Sequence, residues 1–159
     1  MMEITQGKII LVNGCSFTGK TQLISILTST FEHARVVSFE LIYEKGKSLS
    51  GLYKNFYDKI NELKKTEKLI IAESVGNYAS SYLQQDSYLN IVVDPGLEKH
   101  RQNMERFERT FGKRLLSIRA GSLNIESMRK RLVLPNKYLL YNWNNLEQIM
   151  EAINTYVDT

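Results

Sequence analysis

The stretch KIILVNGCSFTGKTQLISIL, residues 8–27, decides how the rest of the chain is read. It opens on the apolar run KIILVN (8–13), which has the length and β-branched content of a strand buried on both faces. It closes on Leu23, Ile24, Leu27 and then Phe31, apolar at the three- and four-residue steps of an amphipathic helix. Between them, GCSFTGKT fits the pattern G-x-x-x-x-G-K-[ST] at Gly14, Gly19, Lys20 and Thr21. The spacing has a chemical reason. Glycines at 14 and 19 admit backbone angles that bulky residues avoid, so successive N–H groups of Cys15, Ser16, Phe17 and Thr18 can curl around phosphate oxygens. The Lys20 ammonium then reaches the β- and γ-phosphates, the Thr21 hydroxyl serves a magnesium ion, and the helix N-terminus adds positive potential. A nucleoside triphosphate with Mg2+ is the expected ligand.

Outward from this loop, four more runs of strand length follow: ARVVSF (34–39), KLIIAE (68–73), LNIVVD (89–94) and KYLLYN (137–142). Helical stripes lie between them, at Leu52, Phe56, Ile60 and Leu63, and over residues 97–118 through Leu97, Met104, Phe111, Leu115 and Ile118. A last helix carries Leu146, Ile149, Ile153 and Val157, with Asn144 and Glu147 spaced as a capping box. Strands alternating with helices predict βαβ units and an open parallel sheet with helices on both faces. No repeat, low-complexity tract or linker divides the 159 residues, which are read as a single domain, 1–159.

Composition narrows the setting. No run approaches the roughly 18 apolar residues of a membrane span. The opening MMEITQGKIILVNG reads as a lead-in to a strand, not as a signal peptide. One cysteine, Cys15, excludes an internal disulfide and predicts a reducing, cytoplasmic setting. Between Leu97 and Pro135, ten basic residues face four acidic ones, a balance of +6; since the whole chain is +4, the remainder carries −2. This segment is either a solvated helical face or a mobile, arginine-bearing lid over phosphates. The dispersed tyrosines, including Tyr43, Tyr53 and Tyr78, lack the basic–aromatic alternation of a single-strand platform.

A GTPase would need N-K-x-D to read its base, and the sole candidate, NKYL (136–139), lacks the aspartate. GKIILVNGCSFTGKTQLISIL resembles the start of guanylate-kinase-like and other nucleoside monophosphate kinases. NGCSFTGKT is also similar to the loop of chloramphenicol-phosphotransferase-like kinases, and NKYLLYNWNNLEQIMEAI resembles the closing strand, Asn-containing loop and helix of the guanylate-kinase-like proteins. The middle departs from guanylate kinases: no T-T-R-x-x-R follows the first helix. The resemblance implies a P-loop three-layer sandwich with five parallel strands in the order 2-3-1-4-5. It also implies a kinase moving the γ-phosphoryl of Mg-ATP to a small acceptor, a nucleotide or nucleoside-like molecule. A polynucleotide 5′-hydroxyl kinase and a non-catalytic nucleotide-binding regulator are the rival readings.

The resemblance also assigns roles outside the loop. Glu40, at the end of the second strand run, is placed to orient or deprotonate the acceptor hydroxyl, with Glu44 as the alternative, or is simply an exposed strand-end acid. Glu73 ends the third run and is placed for the magnesium shell, with Asp94 as the alternative. Arg101 falls in an apolar stripe and either packs on adenine or phosphate or pairs with Glu105. Arg106, Arg109, Arg114 and Arg119 are lid candidates, Arg114 and Arg119 foremost, because a planar guanidinium grips phosphate oxygens bidentately. Asn142 lies in the loop placed near adenine, and Trp143 beside it covers the base or packs in the core. Cys15 fills a free loop position or, at a helix N-terminus, is a thiol of lowered pKa whose labelling blocks nucleotide binding. His33 and His100 are read as surface or capping residues. Oligomeric state is left open.

Overall fold

The computed structural model describes residues 7–39, 48–75, 82–83, 88–120, 125–131 and 138–159, the side chains of residues 49, 118–120, 127 and 131 excepted. Five parallel strands form one sheet: β1 (Lys8–Asn13), β2 (Arg35–Ser38), β3 (Leu69–Ser74), β4 (Tyr88–Val93) and β5 (Leu139–Tyr141). Their order is β2-β3-β1-β4-β5, as expected. β1 sits at the centre, with Ile10 opposite Ile71 on one side and Leu89 on the other.

Alternation along β1 builds both layers of core. Ile9 and Leu11 pack with Ile70, Ala72 and Val37 beneath helix α2 (Leu49–Leu63), whose Leu52, Phe56, Tyr57 and Ile60 are its buried stripe. Ile10 and Val12 turn to the other face, where Leu23 and Leu27 of α1 (Lys20–Thr30) and Ile149 and Ile153 of α6 (Leu146–Asp158) cover them. A strand covered on both faces has no polar side to show, which is why residues 9–12 are uniformly apolar and all fully buried.

Between β4 and β5 the sequence stripe behaves differently from expectation. The helix predicted over 97–118 breaks at Gly112, whose φ of 91° lies in the left-handed region, into α3 (Leu97–Phe111) and α4 (Lys113–Ala120). No residue of α3 is buried, and Leu97 and Phe111 are more than half exposed. The stripe therefore does not face the core. A short α5 (Ile125–Arg131) follows and sets Ile125 and Met128 against Cys15 and Val92. The capping box at Asn144 is not formed: the N-cap of α6 is Asn145, whose side chain instead accepts from the Asn142 N–H and donates to the Leu140 carbonyl.

At the far edge of the sheet, Lys8 ties the two ends of the described chain together. Its ammonium donates to the carbonyls of Tyr156 and Val157 at 2.7 and 2.9 Å, satisfying the end of α6 where a cation is also favoured by the helix dipole. Charge-assisted bonds of this kind contribute about 1.5–3 kcal/mol each before screening, and this pair is partly exposed. Lys8→Met should lower stability by roughly 1–2 kcal/mol in chemical denaturation.

Candidate active site

The loop joining β1 to α1 lies at the C-terminal edge of the sheet, where ligands bind in open α/β folds. Its two glycines act for different reasons. Gly19 is left-handed, with φ 95°, and a Cβ there would stand 2.1 Å from the Trp143 ring. Gly14 is not left-handed; its Cβ would stand 2.8 Å from the Thr18 hydroxyl and 3.1 Å from the Val93 carbonyl, so close packing excludes a side chain. The Thr18 hydroxyl is buried and donates to the Cys15 carbonyl at 2.9 Å, bracing the turn from inside.

Lys20 is the buried cation of the site, 7% exposed. Its ammonium donates to the Ser74 carbonyl at 3.2 Å and lies 4.0 Å from the Glu73 carboxylate. A charge taken out of water needs such partners. Register delivers them: β1 and β3 pair so that Asn13 stands beside Ser74, bringing the end of β3 level with the loop.

Residues 16–22 form the floor of a cleft of about 380 Å3. Glu73, Lys99 and Arg106 are its charged walls, with Asn103, Phe107 and Trp143 completing them. Thr21 opens onto the same space, so the hydroxyl and the carboxylate assigned to magnesium from the sequence line one cleft. Trp143 packs on Gly19 and donates its indole N–H to the Thr18 carbonyl at 3.0 Å. Its place is thus on the loop itself, and it also faces the cleft.

Other sequence candidates stand elsewhere. Arg101 is exposed and paired with both Glu98 and Glu105, and it is not among the cleft walls. Asn142 is exposed and builds its own turn, accepting from the Asn144 N–H at 2.9 Å. Arg114 is exposed on α4, outside the cleft walls. Asp94 is committed to structure: its carboxylate accepts from Arg129 at 2.7 and 3.1 Å and from the Gly96 N–H at 2.9 Å. Burial works to raise its pKa, but the Arg129 and Gly96 hydrogen bonds outweigh burial and hold the carboxyl below the usual range. Glu40 and Glu44 lie outside the described residues, as does the side chain of Arg119.

Cys15 requires a correction. The low-pKa alternative does not hold: the thiol is buried, 1% exposed, and pushed up to about 11, because desolvation outweighs the attraction of Lys20. The native thiol should therefore resist alkylation near neutral pH and react only as the chain opens. The same shift has a stability consequence. The folded pKa lies above the ordinary 9.0, so the stabilisation is complete below pH 9 and is lost as pH rises toward 11. Two pH units correspond to about 2–3 kcal/mol, readable as a falling denaturation midpoint over that window and absent in Cys15→Ala.

The signal missed in the sequence is His100. It is not a surface residue: its Nε2 lies 2.9 Å from the Ser16 carbonyl, which requires that nitrogen to carry the proton. Asn103 donates to the Phe17 carbonyl at 2.8 Å, and Phe107 meets the Phe17 ring edge-on at 5.1 Å. Positions 100, 103 and 107 share one face of α3, a spacing legible in the sequence but without a known partner until the loop is in place.

In chain path the molecule is similar to a sugar kinase from Janibacter sp. HTCC2649, at 13% identity and TM-score 0.57, over 96% of this chain and 95% of that one. It is similar to shikimate kinase from Aquifex aeolicus vf5, at 14% identity and TM-score 0.56, over 94% and 96% of the two chains. Shikimate kinase from Acinetobacter baumannii, in complex with shikimate, aligns at 14% identity and TM-score 0.55, over 96% of each chain. No family model matches the sequence, and a search of curated proteins finds no significant match. The likeness is one of fold, a five-stranded parallel sheet with helices on both faces. Among the described residues, no helix is long and apolar enough to cross a membrane.

Proposed function

We propose that this chain transfers the γ-phosphoryl group of ATP to a hydroxyl or phosphate of a small acceptor. The observation that supports this best is Lys20, held at the C-terminal edge of the sheet between the Ser74 carbonyl and Glu73, on the floor of a cleft lined by Lys99 and Arg106. Catalysis would rest on positioning and charge stabilisation: the transferred group needs cations around its oxygens and little covalent help. Lys20 meets the developing charge from below, and Arg106 and Lys99 from the α3 side. Arg106 and Trp143 also line the cleft. In the transfer, an acceptor oxygen bonds to the γ-phosphorus as the bond to the β–γ bridging oxygen breaks. ADP leaves, and the acceptor's proton passes to a carboxylate, for which Glu40 is the candidate.

The donor set fits magnesium. One hydroxyl, Thr21, and one carboxylate, Glu73, line a single cleft, and Mg2+ takes few protein oxygens while completing its shell with water and phosphates. Bound there, it would neutralise phosphate charge.

For the acceptor, the sequence resemblance favours a nucleotide or nucleoside-like molecule, while the fold neighbours above are a sugar kinase and shikimate kinases. A polynucleotide 5′-hydroxyl end is the second reading, favoured by exposed Phe111 and the exposed basic residues Arg109, Lys113 and Arg114 beyond the cleft. One assay separates these: γ-labelled ATP with a panel of nucleotides, nucleosides, sugars, shikimate and 5′-hydroxyl oligonucleotides. Label transferred to one class identifies the acceptor. ATP binding with no transfer across the panel would replace the kinase by a nucleotide-binding regulator.

A further inference from the structure

Three consecutive carbonyls of the phosphate loop are each taken by a side chain from outside it. Ser16 accepts from His100 at 2.9 Å, Phe17 from Asn103 at 2.8 Å, and Thr18 from Trp143 at 3.0 Å. A trans peptide points its N–H opposite to its C=O, and the chain has no cis bond among the described residues. Holding these three carbonyls outward therefore turns the N–H groups of Phe17, Thr18 and Gly19 the other way. Among the described residues, no hydrogen bond takes the N–H groups of Phe17 and Gly19, while a turn over Ser16 and Phe17 sets the Thr18 N–H toward the Cys15 carbonyl. The arrangement also holds Phe17 at φ 68°, a conformation a bulky side chain rarely adopts unaided.

The helix that supplies two of the donors has no buried residue of its own. Its attachment at this edge runs through the loop: His100, Asn103 and Phe107, one face, meet Ser16 and Phe17. The neighbouring positions Lys99 and Arg106 line the cleft.

We propose that His100 and Asn103 are positioning residues that pre-set the loop's N–H groups for a triphosphate and seat the cationic helix α3 over it. This rests on reading residues 14–21 as a triphosphate site. The clamp acts through the loop backbone, His100 from outside the cleft walls and Asn103 from among them, and it makes the position of Lys99 and Arg106 depend on loop conformation.

The test measures dissociation constants for ATP and for inorganic tripolyphosphate, together with the melting temperature of the ligand-free protein. His100→Leu and Asn103→Leu should each weaken both ligands about five- to tenfold, one hydrogen bond's worth. The melting temperature should stay within a few degrees, because α3 contributes no buried side chain. His100→Gln, whose amide nitrogen can replace Nε2 as donor, should recover most of the affinity. Variants that bind both ligands as wild type does would overturn the clamp alone. So would a loss not recovered by His100→Gln and matched by a large drop in melting temperature, which is a structural role. A wild-type protein that binds neither ATP nor tripolyphosphate overturns the proposed function and this proposal with it.

Discussion

Lys20→Ala should give a folded protein that no longer turns over ATP. The expected loss is about 10²–10³ in turnover or more, the worth of one fixed charge on a transferring phosphoryl group. The structure explains why the fold survives. The Lys20 side chain emerges from the first turn of α1, whose packing is carried by Leu23, Ile24 and Leu27. Its ammonium is buried, and removing a buried charge also removes its desolvation cost. Glu73 is left without its cation but is 20% exposed on its side chain and can reach water. The ligand-free melting temperature should therefore change little, while ATP no longer raises it. A folded variant with wild-type affinity and wild-type ATP consumption would refute the assignment of this loop.

Glu40→Gln carries the enzyme claim. If Glu40 accepts the acceptor's proton, ATP affinity should stay nearly unchanged, because residues 14–21 hold the triphosphate. Turnover should fall by about 10²–10⁴, the usual contribution of a positioned base. Glu73→Gln should look different. Glu73 stands in the cleft 4.0 Å from Lys20, so losing its charge should weaken Mg-dependent binding and turnover together, with partial recovery at raised magnesium. A steady-state comparison of KM and kcat at two magnesium concentrations separates the two carboxylates. Undiminished transfer by the Glu40 variant would move the role to Glu44 or remove the base altogether.

Much of the architecture was legible because buried parallel strands write themselves as unbroken apolar runs. Residues 9–12 had no polar alternative, and each run found its place in a sheet of the order that the family resemblance implied. The α3 region was misread for a physical reason. An apolar stripe at helical spacing signals a buried face, but Leu97 and Phe111 lie exposed, and α3 meets the loop instead through His100, Asn103 and Phe107. Gly112 was visible in the sequence, yet whether a glycine ends a helix depends on whether the chain turns left-handed there.

Residues 14–21 can be read as a candidate phosphate cradle from sequence alone, because a cradle made of backbone N–H groups asks for glycine, lysine and serine or threonine at fixed spacing. What surrounds the cradle was decided by tertiary structure. Register between β1 and β3 set Glu73 and the Ser74 carbonyl beside Lys20. Burial, not position at a helix N-terminus, set the chemistry of Cys15. A hydrogen bond joining residues 84 positions apart turned His100 from a surface histidine into a brace for the loop. Side chains that serve a site across such distances leave no periodic mark in the sequence, since their partner is a backbone carbonyl that every residue possesses.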